Sequence, residues 1–419
     1  MNCRRVKAYL LILGLLTAIP LLSLLSACTA ADSDRSDSDA SSSRAEAAGD
    51  PVEETEEIPV SLRILCAGDV MVHVPQIRAQ HDAVTGAYDF SNNFEYVKEY
   101  ISDADLAFCN LETTFGGEPY TGYPTFSSPD SLADAITDAG FDAVFTSNNH
   151  MLDRGAAGLR RTLEVSRSAG LKTAGSRFEG ETPDTVIRSA DINVGLVSFT
   201  YETPRSGKNR TLNGIRVSEE LEPLINSFGY EDLDVDLARV AEEIARTREA
   251  GAELVVCYFH WGEEYQRSPN DYQQYIASRA AISGADIIFA SHPHVPQGME
   301  YLYPSSGRAV PVFYSLGNFI SNQRFEMSDN RYTEQGLVAV VDVQFMKSAG
   351  SIERIEAKAL PTWVDKYRSG GKDVYTVVPL AGDFENNPAL SISGHADRAR
   401  QALADCEALL GEAAIYREE

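Results

Sequence analysis

The sequence predicts a layered α/β fold from residue 58 onward. Two observations carry it: short apolar runs of strand length alternate with segments of helical spacing, and the helical segments close on glycines. A third bears on function: polar side chains gather just after the apolar runs. Residues 61–67 read as a strand ending in Gly68-Asp69, and residues 105–109 as a short strand ending in Asn110-Leu111-Glu112. Residues 131–139 have helical spacing, and the strand 143–146 stops at Ser147-Asn148-Asn149-His150. Residues 155–169 form a helix closed by Gly170, and 194–199 is an apolar strand. The amphipathic helix 233–250 ends at Gly251, and the strand 254–259 runs into His260-Trp261-Gly262. Residues 272–283 are helical up to Gly284, and the strand 287–290 stops at Ser291-His292-Pro293-His294. Residues 312–315 precede Leu316-Gly317-Asn318-Phe319, 337–345 read as an antiparallel strand, and 395–410 as a closing amphipathic helix.

The chain has 419 residues and a net charge of −26, with 43% hydrophobic residues, which fits a folded protein of two domains or one large α/β domain. Such a charge argues against nucleic acid or an anionic membrane surface as the main partner, because both require clustered Lys and Arg. The charge is unevenly spread. Residues 1–27 carry Arg4, Arg5, Lys7 and then an apolar run, the pattern of an export signal. Leu25-Ser26-Ala27-Cys28 resembles a bacterial lipobox, in which Cys28 is diacylated and becomes the mature N-terminus; the alternative is an uncleaved signal anchor. Either way the body is expected on the extracytoplasmic face, held at the membrane. Residues 28–57 are rich in Ser, Asp, Ala and Glu; ten acids and two arginines in 32–57 make an acidic, disordered tether. The domain from 58 to 419 still nets about −21. Cys66, Cys109, Cys257 and Cys406 have no paired spacing and read as buried small hydrophobes, with a disulfide left open by the oxidising compartment.

Asp69, Asn110, Glu112, Asn149, His150, His260, His292 and His294 all follow apolar strands, with His73 four residues beyond Asp69. In α/β sheets the carboxyl ends of parallel strands share one edge, where ligands bind. Imidazole, carboxylate and amide oxygen together suit a divalent ion such as Mn, Fe or Zn rather than Ca or a thiolate site.

The set Gly68-Asp69-Val70-Met71, Asn110-Leu111-Glu112, Asn148-Asn149-His150 with Asp153 and Gly155, His260-Trp261-Gly262, His292-Pro293-His294 and Ser315-Leu316-Gly317-Asn318-Phe319 resembles the CapA/PgsA-type capsule synthesis proteins. That family is tied to poly-γ-glutamate production and is similar to the calcineurin-like metallophosphoesterases. The resemblance covers residues 62–345, leaving strands and a helix in 346–419. It implies a sandwich of two mixed β-sheets flanked by helices. It also implies metal ligation by Asp69, Glu112, Asn149, His260, His292 and His294, with His150 as acid or phosphoryl stabiliser oriented by Asp153. In that pattern Asn149, His260 and His292 serve one ion, and Asp69 and His294 the other. Met71 stands where the pattern has a histidine, and His73 is the candidate replacement. Glu112 is the candidate bridging carboxylate, with hydrogen bonding in a turn as its alternative role. Asn110 and Asn318 are candidate donors to the ligands or substrate. Trp261 either walls the site or is a buried aromatic. The resemblance favours an accessory protein of anionic capsule-polymer synthesis or export, working with membrane-bound synthesis subunits and using its metal cleft on the polymer. A stand-alone extracytoplasmic phosphoesterase or related hydrolase is the alternative, and a binding or scaffold domain with a decayed site is a third.

Overall fold

Alternating burial explains the strands. In the computed structural model, which describes residues 58–417, β1 (Val60–Val70) turns Leu62, Ile64 and Cys66 to one face and Leu65 and Ala67 to the other, all of them buried. The export signal, Cys28 and the acidic tether lie outside the described residues. After β1 come β2 (Leu106–Leu111), β3 (Ala143–Phe145) and β4 (Lys172–Ala174). The helices Val74–Gln80, Ser91–Phe94 and Lys98–Ser102 return the chain from β1 to β2, Ser131–Asp138 from β2 to β3 and Gly155–Ser168 from β3 to β4, so β1 to β4 run parallel.

A hairpin of β5 (Thr185–Ser189) and β6 (Ile192–Tyr201) opens the second sheet. A small meander follows, of β7 (Thr203–Ser206), β8 (Asn209–Leu212) and β9 (Ile215–Arg216). The second sheet resumes with β10 (Ser227–Phe228), β11 (Leu254–His260) and β12 (Ile287–Ser291), with the helices Leu233–Glu249 and Asp271–Ser283 between them. Next come β13 (Met299–Leu302), β14 (Val310–Phe313), β15 (Asn318–Ile320), β16 (Gln335–Met346), β17 (Ser351–Ser369) and β18 (Lys372–Pro379). The helix Ala396–Leu410 packs on β17.

The first sheet has the order β18-β17-β16-β1-β2-β3-β4, with β15 also paired to β1; the second has β10-β6-β11-β12-β14-β13, with β5 on β6. Both are mixed. Their facing sides share one core, in which Leu62, Phe108 and Phe145 of the first sheet meet Leu196, Val256, Tyr258 and Phe289 of the second. Phe145 and Tyr258 stack at 4.4 Å across it. The outer face of the first sheet packs on Ile77, Leu132 and Ile136, and that of the second on Leu237, Ile244 and Ile276. The result is the expected α/β sandwich of two mixed sheets between helical layers.

Elements read from sequence differ from those observed mainly at their ends. β1 runs through Gly68 and Asp69 because β15 pairs with it there, Asp69 opposite Asn318. The long strand β17 has a half-exposed, charge-rich first half that carries little apolar signal. Cys66, Cys109, Cys257 and Cys406 are all free and buried. Among the described residues no helix is long and apolar enough to cross a membrane.

Candidate metal centre

The parallel strands of both sheets end at one edge, and each end delivers a polar side chain. Asp69 and Asn110 are register partners across β1 and β2, with Glu112 just beyond. The β3 loop supplies Asn149 and His150, β11 ends on His260, and the loop after β12 carries His292 and His294. Two sets of three donors lie within 4.8 Å of one another: Glu112, His292 and His294, and Asp69, Glu112 and His260. Glu112 belongs to both. His260 Nε2 stands 3.0 Å from Asn149 Oδ1 and 3.4 Å from Glu112 Oε1. His294 Nδ1 stands 3.1 Å from Asp69 Oδ2, and its Nε2 3.9 Å from Glu112 Oε1. His260 thus stands beside Asn149 and His294 beside Asp69, and Glu112 lies within reach of both groups.

The backbone is held in uncommon conformations to achieve this. His292 and His294 both have positive φ, 108° and 56°. For non-glycine residues this costs about 1–3 kcal/mol each and persists only where the surroundings enforce it. Gly68 shows the same crowding: a Cβ there would lie 2.0 Å from the carbonyl oxygen of Gly317. That carbonyl accepts from the Asp69 amide at 2.9 Å, so only glycine lets the Gly317 loop fix the Asp69 backbone.

Burial, and then the neighbouring Asp69 carboxylate, push the Glu112 carboxyl well above its usual range. Burial would also raise Asp69, but the His294 hydrogen bond and imidazole hold it below its ordinary value. Burial drives His260 down to about 3, and burial with the adjacent His260 drives His292 well below its ordinary value. These imidazoles are therefore neutral, the form that ligates metal. Both Glu112 oxygens and His292 Nδ1 are buried without a hydrogen-bond partner. An orphaned buried carboxylate between neutral imidazoles fits a divalent ion, and the nitrogen and oxygen donors suit a first-row metal.

Around this cluster the remaining predicted residues separate. Asp153 Oδ2 lies 2.7 Å from His150 Nδ1 and also accepts the Phe126 amide at 2.6 Å. Nδ1 faces that carboxylate, and Nε2 has the Asn213 side-chain amide nitrogen 3.4 Å away. Asn110 donates to Asp69 Oδ1 at 2.7 Å and accepts from Asn148 at 3.2 Å. Asn318 donates to the His294 carbonyl at 3.2 Å, steadying that loop. His73 stands outside both donor sets: it begins the helix Val74–Gln80, and its Nδ1 faces Gln76 Oε1 at 3.3 Å. Met71 is buried. Trp261 is fully buried, stacked on Phe259 at 4.8 Å with its indole N–H on the Tyr314 carbonyl, so it is core rather than a wall of the site.

Two contributors escape the sequence reading. The Tyr201 ring, at the end of β6, lies 4.6 Å from that of His292 and 6.4 Å from that of His260. Asn213 accepts from Asn149 Nδ2 at 3.1 Å, and its own Nδ2 lies 3.2 Å from His150 Nδ1. It sits in an Asn-Gly hairpin turn, the dipeptide that best signals such turns in a sequence.

Fold and site together define an α/β sandwich with a buried donor cluster of divalent-metal type at its shared carboxyl edge. The chain belongs to the family described as bacterial capsule synthesis protein PGA_cap, whose family model matches residues 63–323. It is 28% identical to the capsule biosynthesis protein CapA of Bacillus anthracis over 273 residues, 62% of this chain and 60% of that protein. It is 25% identical to the PGA biosynthesis protein CapA of Bacillus subtilis, over 61% of this chain and 62% of that one. The chain thus aligns with about three fifths of the length of these relatives. A structure described as a novel phosphatase of Mycoplasma pneumoniae overlays at TM-score 0.41 and 13% identity, covering 73% of this chain and 95% of that one.

Proposed function

We propose that this protein acts in synthesis or export of an anionic capsule polymer of poly-γ-glutamate type. In this reading it is held by diacylated Cys28 at the extracytoplasmic face, beside membrane-bound synthesis subunits, and its metal cleft binds or processes the polymer. The relatives named for capsule and PGA biosynthesis support the setting. The observation that carries the role of the cleft is Glu112, fully buried, without hydrogen-bond partners and common to both donor sets. A decayed site would leave a buried carboxyl with no hydrogen-bond partner and no return, at a cost of about 1–3 kcal/mol.

The cluster would hold Mn, Fe or Zn through Asp69, Glu112, Asn149, His260, His292 and His294, with Glu112 common to both donor sets. A bound ion supplies Lewis acidity and charge neutralisation toward a carboxylate or phosphoryl oxygen. The chain's own residues then set geometry. Asn110 fixes the Asp69 carboxylate, Asn318 the His294 loop, and Asp153 the His150 ring, whose Nε2 is the nitrogen turned from that carboxylate and the one to hold or deliver a proton. The His150–Asp153 pair also favours a second reading, metal-dependent hydrolysis of a phosphoester or related bond.

Metal analysis of the purified protein tests the proposal. A first-row divalent ion is expected in the wild type, removed by chelator and lost in His260→Ala and His292→Ala. No bound metal, together with unchanged stability in both variants, defeats both readings. Chelator-sensitive turnover of a chromogenic phosphodiester that disappears in His150→Ala selects the hydrolase. Absence of turnover, with loss of capsule in cells carrying the same change, selects the polymer role.

A further inference from the structure

Against a chain of net charge −26, residues 203–216 contain four cations, Arg205, Lys208, Arg210 and Arg216, and no acid. They form the three-stranded meander β7-β8-β9, built from two consecutive two-residue hairpins. Gly207-Lys208 is one turn, Gly207 having φ +66°. Asn213-Gly214 is the other, with φ +47° and +75°, the doubly positive pattern of a type I′ turn. The second turn touches the site: Asn213 bonds Asn149 at 3.1 Å and reaches His150. The meander is seated by Leu212, which packs with Met151, Leu152 and Leu159 beside the His150 loop.

Its cations fall into two pairs. Arg210 is tied to Glu202 at 2.6 Å, and Arg205 to Asp232 at 3.2 Å. Those contacts hold the meander to the body. Lys208 and Arg216 are exposed, and among the described residues neither side chain is in an ion pair or hydrogen bond. Arg78, Lys98, Lys172 and Arg279 are also exposed and unpaired, but they lie on separate elements, whereas Lys208 and Arg216 share one small sheet beside the site.

We infer that this meander is the surface that captures the anionic polymer, Lys208 and Arg216 engaging successive carboxylates of the chain while the Asn213 turn borders the metal cleft. This rests on the polymer reading above and adds where the polymer is gripped. Physically, the long-range field of the domain repels a polyanion, and a local basic strip beside the cleft reverses that field over about a Debye length.

The test uses the purified full chain, metal-loaded, with poly-γ-glutamate of defined length as the probe and a neutral polymer as control. Lys208→Glu/Arg216→Glu is compared with Arg354→Glu/Lys172→Glu, which makes the same charge change at the amino ends of the strands, away from the site. Metal content and circular dichroism establish that each variant is folded. The meander variant is expected to weaken binding by about tenfold or more and to flatten its dependence on salt, and the control pair by less than about twofold. Binding that survives the meander variant, or falls equally in the control, overturns the assignment alone. A wild type that binds metal but not the polymer overturns the polymer reading, and the assignment with it.

Discussion

At the scale of single residues, Glu112 is the most informative side chain. Burial and the Asp69 carboxylate raise its carboxyl well above the ordinary range, so without metal it is a liability that neutral imidazoles do not relieve. Glu112→Gln keeps the shape and removes the ionisable group. The variant is therefore expected to be more stable than wild type after exhaustive chelation, by about 1–3 kcal/mol. Its affinity for the divalent ion should fall by at least about tenfold, because an anionic ligand is lost. Thermal unfolding with and without chelator checks both signs, and a variant less stable than wild type in both conditions refutes the metal role. Much of this site is legible in the sequence because its ligands are rare residue types placed just after apolar strands, as His260, His292 and Glu112 are. Asn213 and Tyr201 were not legible, since Asn and Tyr are common on loops and only the fold brings residue 213 beside residue 150. Chain order also does not show the positive-φ backbone at His292 and His294 that brings both rings near Glu112.

Among the elements, the longer helices and the central parallel strands were readable because each carries a strong apolar signal, whereas the short helices Val74–Gln80 and Lys98–Ser102 and the three-residue β4 were not. The helix Leu233–Glu249 buries Leu237, Val240 and Ile244 at helical spacing, as its pattern predicts. The β7-β8-β9 meander has little apolar content, and its signal is two turns rather than a period. The same long helix contains an unexpected buried acid. Burial raises the Glu243 carboxyl to about 7, against the opposing pull of Arg177 and the hydrogen bond from Asn226. The folded protein thus holds this proton more tightly than the unfolded chain does. The stability linked to it is complete below about pH 4.5 and is lost as pH rises through about 7. The loss amounts to about 3 kcal/mol by pH 8. Glu243→Gln, which keeps an oxygen for Asn226, is expected to flatten this part of the pH profile and to exceed wild type in melting temperature at pH 8. Denaturant titrations of both proteins at pH 5 and pH 8 check it, and parallel profiles count against it.

For the molecule as a whole, the net charge of −26 is unevenly spread: residues 1–27 are basic, 32–57 acidic, and the body acidic apart from one basic meander, and the first two segments are proposed as export signal and tether. The anchoring part predicts that labelled fatty acid enters the wild-type protein and not Cys28→Ser; equal labelling of both removes the lipid assignment. The body predicts that metal and folding are coupled. A ligand that binds only the folded state stabilises it by RT ln(1 + [L]/Kd), about 4 kcal/mol when it stands at a thousand times its Kd. Here the coupling has a structural basis, because the donors come from the ends of β1 and β2 in one sheet and of β11 and β12 in the other. An ion shared by them ties the two layers together at the edge where they otherwise meet through buried polar groups. Chelation is therefore expected to lower the melting temperature by several degrees, and readdition of the divalent ion to restore it. The loss should be much smaller in Glu112→Gln, which lacks the anionic ligand common to both donor sets and so gains less from the ion. Scanning calorimetry on the four combinations of protein and chelator measures that coupling directly, and equal shifts in the two proteins would mean that the ion is bound somewhere other than the Glu112 cluster.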